Sequence, residues 1–200
     1  MTAFRIIVLF VLLFPSRVHP ASAFYGGISH SVPFASRDFS EPWMDGMGYA
    51  AGYERSFGER FSAVFDVTKS RFVPDRGYYS DGGRQIVIGG VASCFTVSGG
   101  VKALLSAGKG RVAPFAQGGV GLSRLAIEPL DLVRFFEGMM TSYSGTSETR
   151  FALRAGVGLL IRGPSASPVD AQFDYQFFLL PGEPYFLYGT ARMLILFRLL

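Results

Sequence analysis

Cysteine is almost missing from this chain: Cys94 is the sole example among 200 residues, so no internal disulfide can form and a disulfide-stapled scaffold is excluded. Charge is scarce too, at 17% against about 25% in ordinary soluble domains. That leaves too few ions to clothe a water-facing surface. Histidine occurs twice, as His19 and His30, and no His, Cys and carboxylate cluster falls at metal-ligand spacing, so neither metal nor cofactor is expected. Nothing reaches the run of about 18 apolar residues that a spanning helix needs. The longest candidate, Ile6 to Phe14, follows Arg5 and precedes Ala21-Ser22-Ala23, which together read as an export signal over residues 1–23 with a mature chain from Phe24. No Pro-rich or charged linker divides residues 24–200, which implies a single domain. The net charge of +4 includes Arg5 and Arg17 of that leader. The remainder is too small for a nucleic-acid footprint.

What the chain does have is 25 Gly, 20 Phe and 9 Tyr, arranged with a period of two. From Thr149 to Arg162 the residues Phe151, Leu153, Ala155, Val157, Leu159 and Ile161 share one face, opposite Ala152, Arg154, Gly156 and Gly158. Val169, Ala171, Phe173, Tyr175 and Phe177 repeat this against Asp170, Gln172, Asp174 and Gln176. A helix would mix these sets, whereas a strand separates them. Weaker signals of the same kind cover residues 24–35, 48–57, 61–72, 95–106, 112–125 and 186–199, making eight strands of roughly membrane-spanning length. Tight turns at 58–60, 107–111 and 163–168 alternate with long connections at 36–47, 73–96 and 126–148, the grammar of an up-and-down transmembrane barrel. The apolar stretch Ile86 to Cys94 either extends the fourth strand outward or adds a pair, giving ten strands as the alternative. In the third long connection Leu130, Val133, Phe136 and Met139 stand at helical spacing, compatible with a short amphipathic helix or with ordinary loop packing.

Alternation alone does not say which face points inward, since a soluble ligand-binding barrel has the same period. The low charge content decides for an apolar exterior. The inward set then carries Glu54, Asp66, Asp170 and Asp174 against Lys102, Arg154 and Arg192, close to balance, and buried charges persist when paired. An ion-pair network lining the lumen is therefore expected from these seven residues. Glycines at 52, 100, 119, 121, 156 and 158 fall on the same crowded face. Tyr25, Tyr49, Tyr53, Phe72, Tyr143, Tyr185 and Tyr188 lie near strand ends and are candidates for interfacial girdles. Arg124 points outward near the external rim, within reach of lipid phosphate or solvent.

The run Val112-Ala113-Pro114-Phe115-Ala116-Gln117-Gly118-Gly119-Val120-Gly121-Leu122-Ser123 and the closing run Gly189 to Arg198 resemble the small outer-membrane β-barrel family related to the OmpA transmembrane domain. The resemblance implies residence in the bacterial outer membrane, contact with its lipid and lipopolysaccharide, and insertion by the barrel assembly machinery. Family members end on an aromatic residue, whereas this terminus reads Arg198-Leu199-Leu200, with Phe197 the nearest aromatic. The expected function is a non-enzymatic barrel with a structural or surface-interaction role and an ion-filled lumen, a monomer being its simplest state. A narrow channel or small-ligand porter is the alternative. A lipid A-modifying enzyme would need a nucleophile beside a base, and His30 and Ser31, adjacent on a strand, point to opposite faces.

Overall fold

The computed structural model describes residues 22–35, 41–79, 85–106, 110–134, 139–164 and 167–199. The elements are β1 (Ser22–Ala35), β2 (Gly46–Phe57), β3 (Phe61–Phe72), a single helical turn α1 (Arg76–Tyr79), β4 (Gln85–Gly89), β5 (Ala92–Leu104), β6 (Val112–Ile127), β7 (Leu130–Arg134), β8 (Met139–Tyr143), β9 (Thr146–Ile161), β10 (Val169–Leu180) and β11 (Phe186–Leu199). Eight of these close into a barrel in the order β1-β11-β10-β9-β6-β5-β3-β2. Every neighbouring pair is antiparallel. Closure comes from β1 pairing β11, with Ser22 opposite Leu199 and Ser31 opposite Thr190. No strand of the barrel is left with an unpaired edge, which is what a hydrocarbon surround demands of a sheet.

The burial pattern follows the alternation. Along β10 each of Asp170, Gln172, Asp174, Gln176 and Phe178 is buried, while Phe173 and Phe177 are exposed. On β9 the exposed set is Phe151, Leu153, Val157, Leu159 and Ile161. The greasy residues thus face out and the polar ones in, the reverse of a soluble barrel. Glycine makes room inside: a Cβ on Gly52 would stand 2.4 Å from the Tyr25 ring, and one on Gly158 would stand 2.6 Å from Phe115 Cζ.

Residues 86–94 neither add two strands to the barrel nor simply lengthen one. Ala92 to Cys94 belong to β5, while β4 leaves the wall and pairs with β7, which pairs with β8, in a separate three-stranded sheet at the long-loop end. Of the helix considered for the third connection, Leu130, Val133 and Met139 stand in the paired antiparallel strands Leu130–Arg134 and Met139–Tyr143, and Phe136 lies outside the described residues. Helical spacing of apolar residues loses because β4 offers a pairing edge, and Ile86, Val133 and Met140 then line up across one face. The first and second long connections are tied together by the Trp43 indole donating to Gly90 O at 2.8 Å, Met44 N to Val73 O at 2.8 Å and Asp75 N to Pro42 O at 2.8 Å. Of the leader segment, Ser22 and Ala23 open β1; residues 1–21 lie outside the described residues.

Candidate functional site

The lumen is the place where chemistry gathers. All seven residues of the inward ionic set are buried: Glu54, Asp66, Lys102, Arg154, Asp170, Asp174 and Arg192. Asp66 on β3 is the hub. Its Oδ2 takes Arg192 Nη1 at 2.7 Å and lies 2.6 Å from Arg154 Nη1, while Tyr25 donates to the same oxygen at 3.0 Å and Thr68 to Oδ1 at 2.9 Å. Arg192 on β11 grips Asp174 with two parallel bonds, Nε to Oδ1 at 2.7 Å and Nη2 to Oδ2 at 2.9 Å. Bidentate geometry of this kind is the strongest form an Arg–carboxylate pair takes. Gln172 joins the halves, donating to Asp174 Oδ2 at 2.5 Å and accepting from Lys102 Nζ at 2.8 Å. Lys102 also reaches Glu54 at 2.7 Å and stands 4.6 Å from the Phe115 ring centroid.

Six of the seven therefore form one connected layer spanning β2, β3, β5, β9, β10 and β11. Asp170 stands apart, toward the short-turn end, accepting from Gly163 N at 2.9 Å and lying 3.3 Å from Arg198 Nε. Arg154 is the least satisfied member: close as it is to Asp66, its N–H bonds are not aimed along that line, and its guanidinium nitrogens make no hydrogen bond. The Gln176 amide is likewise unpartnered. Gln117, which donates to Asp174 Oδ2 at 3.4 Å, joins Gln172, Tyr25 and Thr68 as contributors readable from inward parity; selecting for formal charge alone passes over them.

Apolar side chains fill the lumen on both sides of this layer. Toward the long loops, Phe72, Phe178, Tyr188, Leu180, Phe186 and Trp43 pack together. The Phe178 and Tyr188 rings are stacked with centroids 4.9 Å apart. Toward the short turns, Tyr25, Val64, Phe115, Leu160, Leu194 and Leu196 form a second cluster. Tyr25, Phe72 and Tyr188 are thus lumen residues and not members of an outer girdle, because their parity places them with the inward set; Tyr49, Tyr143 and Tyr185 are exposed. Between the upper cluster and the ions lie hydroxyls, with Ser31 bridging Ser70 at 2.8 Å and Thr190 at 2.9 Å, and Ser123 bonded to Thr96 at 2.8 Å. Cys94 sits among them, 2.9 Å from Ser123 Oγ. A cavity of about 210 Å³ opens at the short-turn end, lined in part by Glu54, Ser56, Ser62, Arg162, Asp170 and Arg198.

An eight-stranded closed barrel, apolar without and ionic within, admits one class of surroundings. The fold is that of the small outer-membrane β-barrels. Neisserial surface protein A superposes with a TM-score of 0.61 at 13% identity, covering 88% of this chain and 96% of that one. Ail, the attachment invasion locus protein of Yersinia pestis, solved with the heparin analogue sucrose octasulfate, superposes with a TM-score of 0.55 at 14% identity, covering 90% and 99%. No protein-family model and no curated protein matches the chain. At these identities the likeness is one of architecture.

His30 and Ser31 do part company across the barrel wall. His30 is exposed with Nε2 2.7 Å from Asp45 Oδ2, whereas Ser31 is buried in the hydroxyl layer. Among the described residues no group of His, Cys and carboxylates is placed to hold a metal.

Proposed function

We propose that this protein is a non-enzymatic resident of the bacterial outer membrane, in which the barrel anchors and the long-loop end, with its three-stranded sheet, meets the exterior. The observation that carries this reading is the filled lumen. A conducting pore needs a continuous wet path; Glu54 of the ionic layer borders the cavity at the short-turn end, but toward the long loops the lumen is filled by the apolar cluster of Phe72, Phe178, Tyr188, Leu180 and Phe186. An eight-stranded barrel is just wide enough for side chains to fill it, and these do. The ions serve as an internal brace, holding β3, β10 and β11 together through Asp66, Asp174 and Arg192.

Planar-bilayer recording of the refolded protein tests this. Inserted protein should give no resolved unitary steps, and the Asp66→Asn variant should give none either, because the apolar clusters remain. Reproducible steps from the parent chain would favour the narrow channel or small-ligand porter instead.

A further inference from the structure

The outer wall carries a charge pattern that lipid solvation alone does not require. Among the described residues, the eight barrel strands bear five carboxylates, Glu54, Asp66, Glu148, Asp170 and Asp174, all on the inward parity. The charged side chains of outward parity, His30 aside, are Arg55, Lys69, Arg71 and Arg124, every one a cation. Arg55 lies near the short-turn end, opposite Ser22 and away from the other three cations. The other three gather on β3 and β6, either side of β5, at the long-loop end. Register places Tyr49 beside Lys69, Lys69 beside Phe95, Phe95 beside Arg124 and Arg124 beside Thr149. Lys69 and Arg124 are thus two strands apart, about 10 Å at ordinary strand spacing, and Arg71 is one outward position further along β3, about 7 Å on. Long cationic side chains converge easily across such gaps, over the exposed Phe95 ring.

The row marks a chemical boundary. One outward step toward the middle, Ala51, Val67, Val97, Leu122 and Phe151 are all apolar. Neither Lys69 nor Arg71 has a carboxylate partner among the described residues, and Arg124 bonds only the neutral Ser147 Oγ at 3.0 Å. Glu148, of inward parity but exposed at the strand end, is paired with Arg150 at 2.7 Å. Three cations with no carboxylate partner among the described residues, held at the edge of an apolar band, face the depth where headgroups begin, and cations there are drawn to anionic lipid.

We infer that Lys69, Arg71 and Arg124, flanking Phe95, form a binding site for the phosphate of an outer-leaflet glycolipid. The inference rests on the membrane reading above. Guanidinium and ammonium groups supply N–H donors to the phosphate oxygens, Arg being able to do so bidentately, while Phe95 and Tyr49 seat the boundary between headgroup and acyl chains.

Native mass spectrometry of the full chain, released from detergent after titration with bisphosphorylated lipid A, tests it. The parent should retain the lipid at least about tenfold better than the triple variant Lys69→Gln, Arg71→Gln, Arg124→Gln, and each single variant should lose about three- to fivefold. Arg55→Gln should behave as the parent, and lipid A stripped of its phosphates should not distinguish parent from triple variant. The single variants decide the matter if the triple one fails to show heat-modifiable gel mobility. Equal retention by parent and variants overturns the site, as does an equal loss in Arg55→Gln. Displacement of the lipid by millimolar inorganic phosphate would assign the cations to a free anion and overturn the lipid. Insertion of the parent into phosphatidylcholine vesicles reports separately: a chain that inserts but retains no lipid A sinks this inference alone, whereas one that does not insert sinks the membrane reading.

Discussion

Two antiparallel sheets are made from this one chain, and they solve the edge problem in opposite ways. The barrel pairs its strands over as many as sixteen residues, as between β6 and β9, and leaves no edge. The outer sheet pairs five residues at a time and leaves β4 and β8 as its flanks. Ile88 and Met140 there are 54% and 60% exposed, and a three-stranded sheet so small has little apolar area to bury. Closure turns every backbone donor and acceptor inward on the sheet itself, so the barrel's interior can be ionic and still be rigid. The outer sheet depends on the barrel rim for its support, through Gly90 N to Pro129 O and Glu128 N to Val91 O, each at 2.9 Å.

The sharpest way to break the contrast is to unbalance the ion layer. Asp66→Asn leaves the buried Arg154 and Arg192 facing a neutral amide, and breaking a buried pair in this way costs about 3–5 kcal/mol. Urea unfolding in lipid vesicles, followed by tryptophan fluorescence, should show that loss. Asp174→Asn should cost less, since Arg192 keeps Asp66. If Asp66→Asn unfolds within about 0.5 kcal/mol of the parent, the ordinary range for a surface change, the ions are not the brace.

A smaller effect is expected where shape and not charge is at stake. Gly158→Ala places a methyl 2.5 Å from Phe173 O and 2.6 Å from both Asp174 Cβ and the Phe115 ring, and overpacking of this kind costs about 1–3 kcal/mol. Shortening the ring with Phe115→Leu in the same chain should recover part of it, a coupling that a double-mutant cycle measures. Additive losses would mean that the glycine serves the backbone and not the ring.

The barrel was legible from the sequence because parity is a local property that closure simply preserves. Residues 61–72 and 186–199 carry their strand limits in the residues themselves, and the inward ions on β9, β10 and β11 follow from the same two-residue count. What parity does not carry is partnership across the bore. That Asp66 of β3 meets Arg192 of β11 depends on which sides of the cylinder face each other, and nothing within either strand encodes it. Tyr25, Phe72 and Tyr188 are misplaced by composition: aromatic residues near strand ends suggest a girdle, whereas counting along each strand, from Asp66 for Phe72 and from Arg192 for Tyr188, puts these two inside, and β1 carries no inward ion from which to count Tyr25. The loops were least legible, since β4 takes its state from β7, more than forty residues away in sequence. Leu130 and Val133 satisfy a helical spacing and a strand pairing equally well, and the tertiary partner decides.

That dependence sets the smallest prediction. Val133 on the central strand of the outer sheet stands between Ile86 and Met140, so Val133→Ser removes the apolar middle of one face while leaving every barrel pair untouched. Barrel stability should change by less than about 0.5 kcal/mol, as for a substitution outside the cooperative unit. The outer sheet, held by few apolar contacts, should open more often, and cleavage by trypsin added outside sealed vesicles should quicken at the long-loop end. A fall in barrel stability comparable to that of Gly158→Ala would show that the outer sheet clamps the barrel mouth, and the division between an anchoring wall and a locally supported exterior would then dissolve into one cooperative structure.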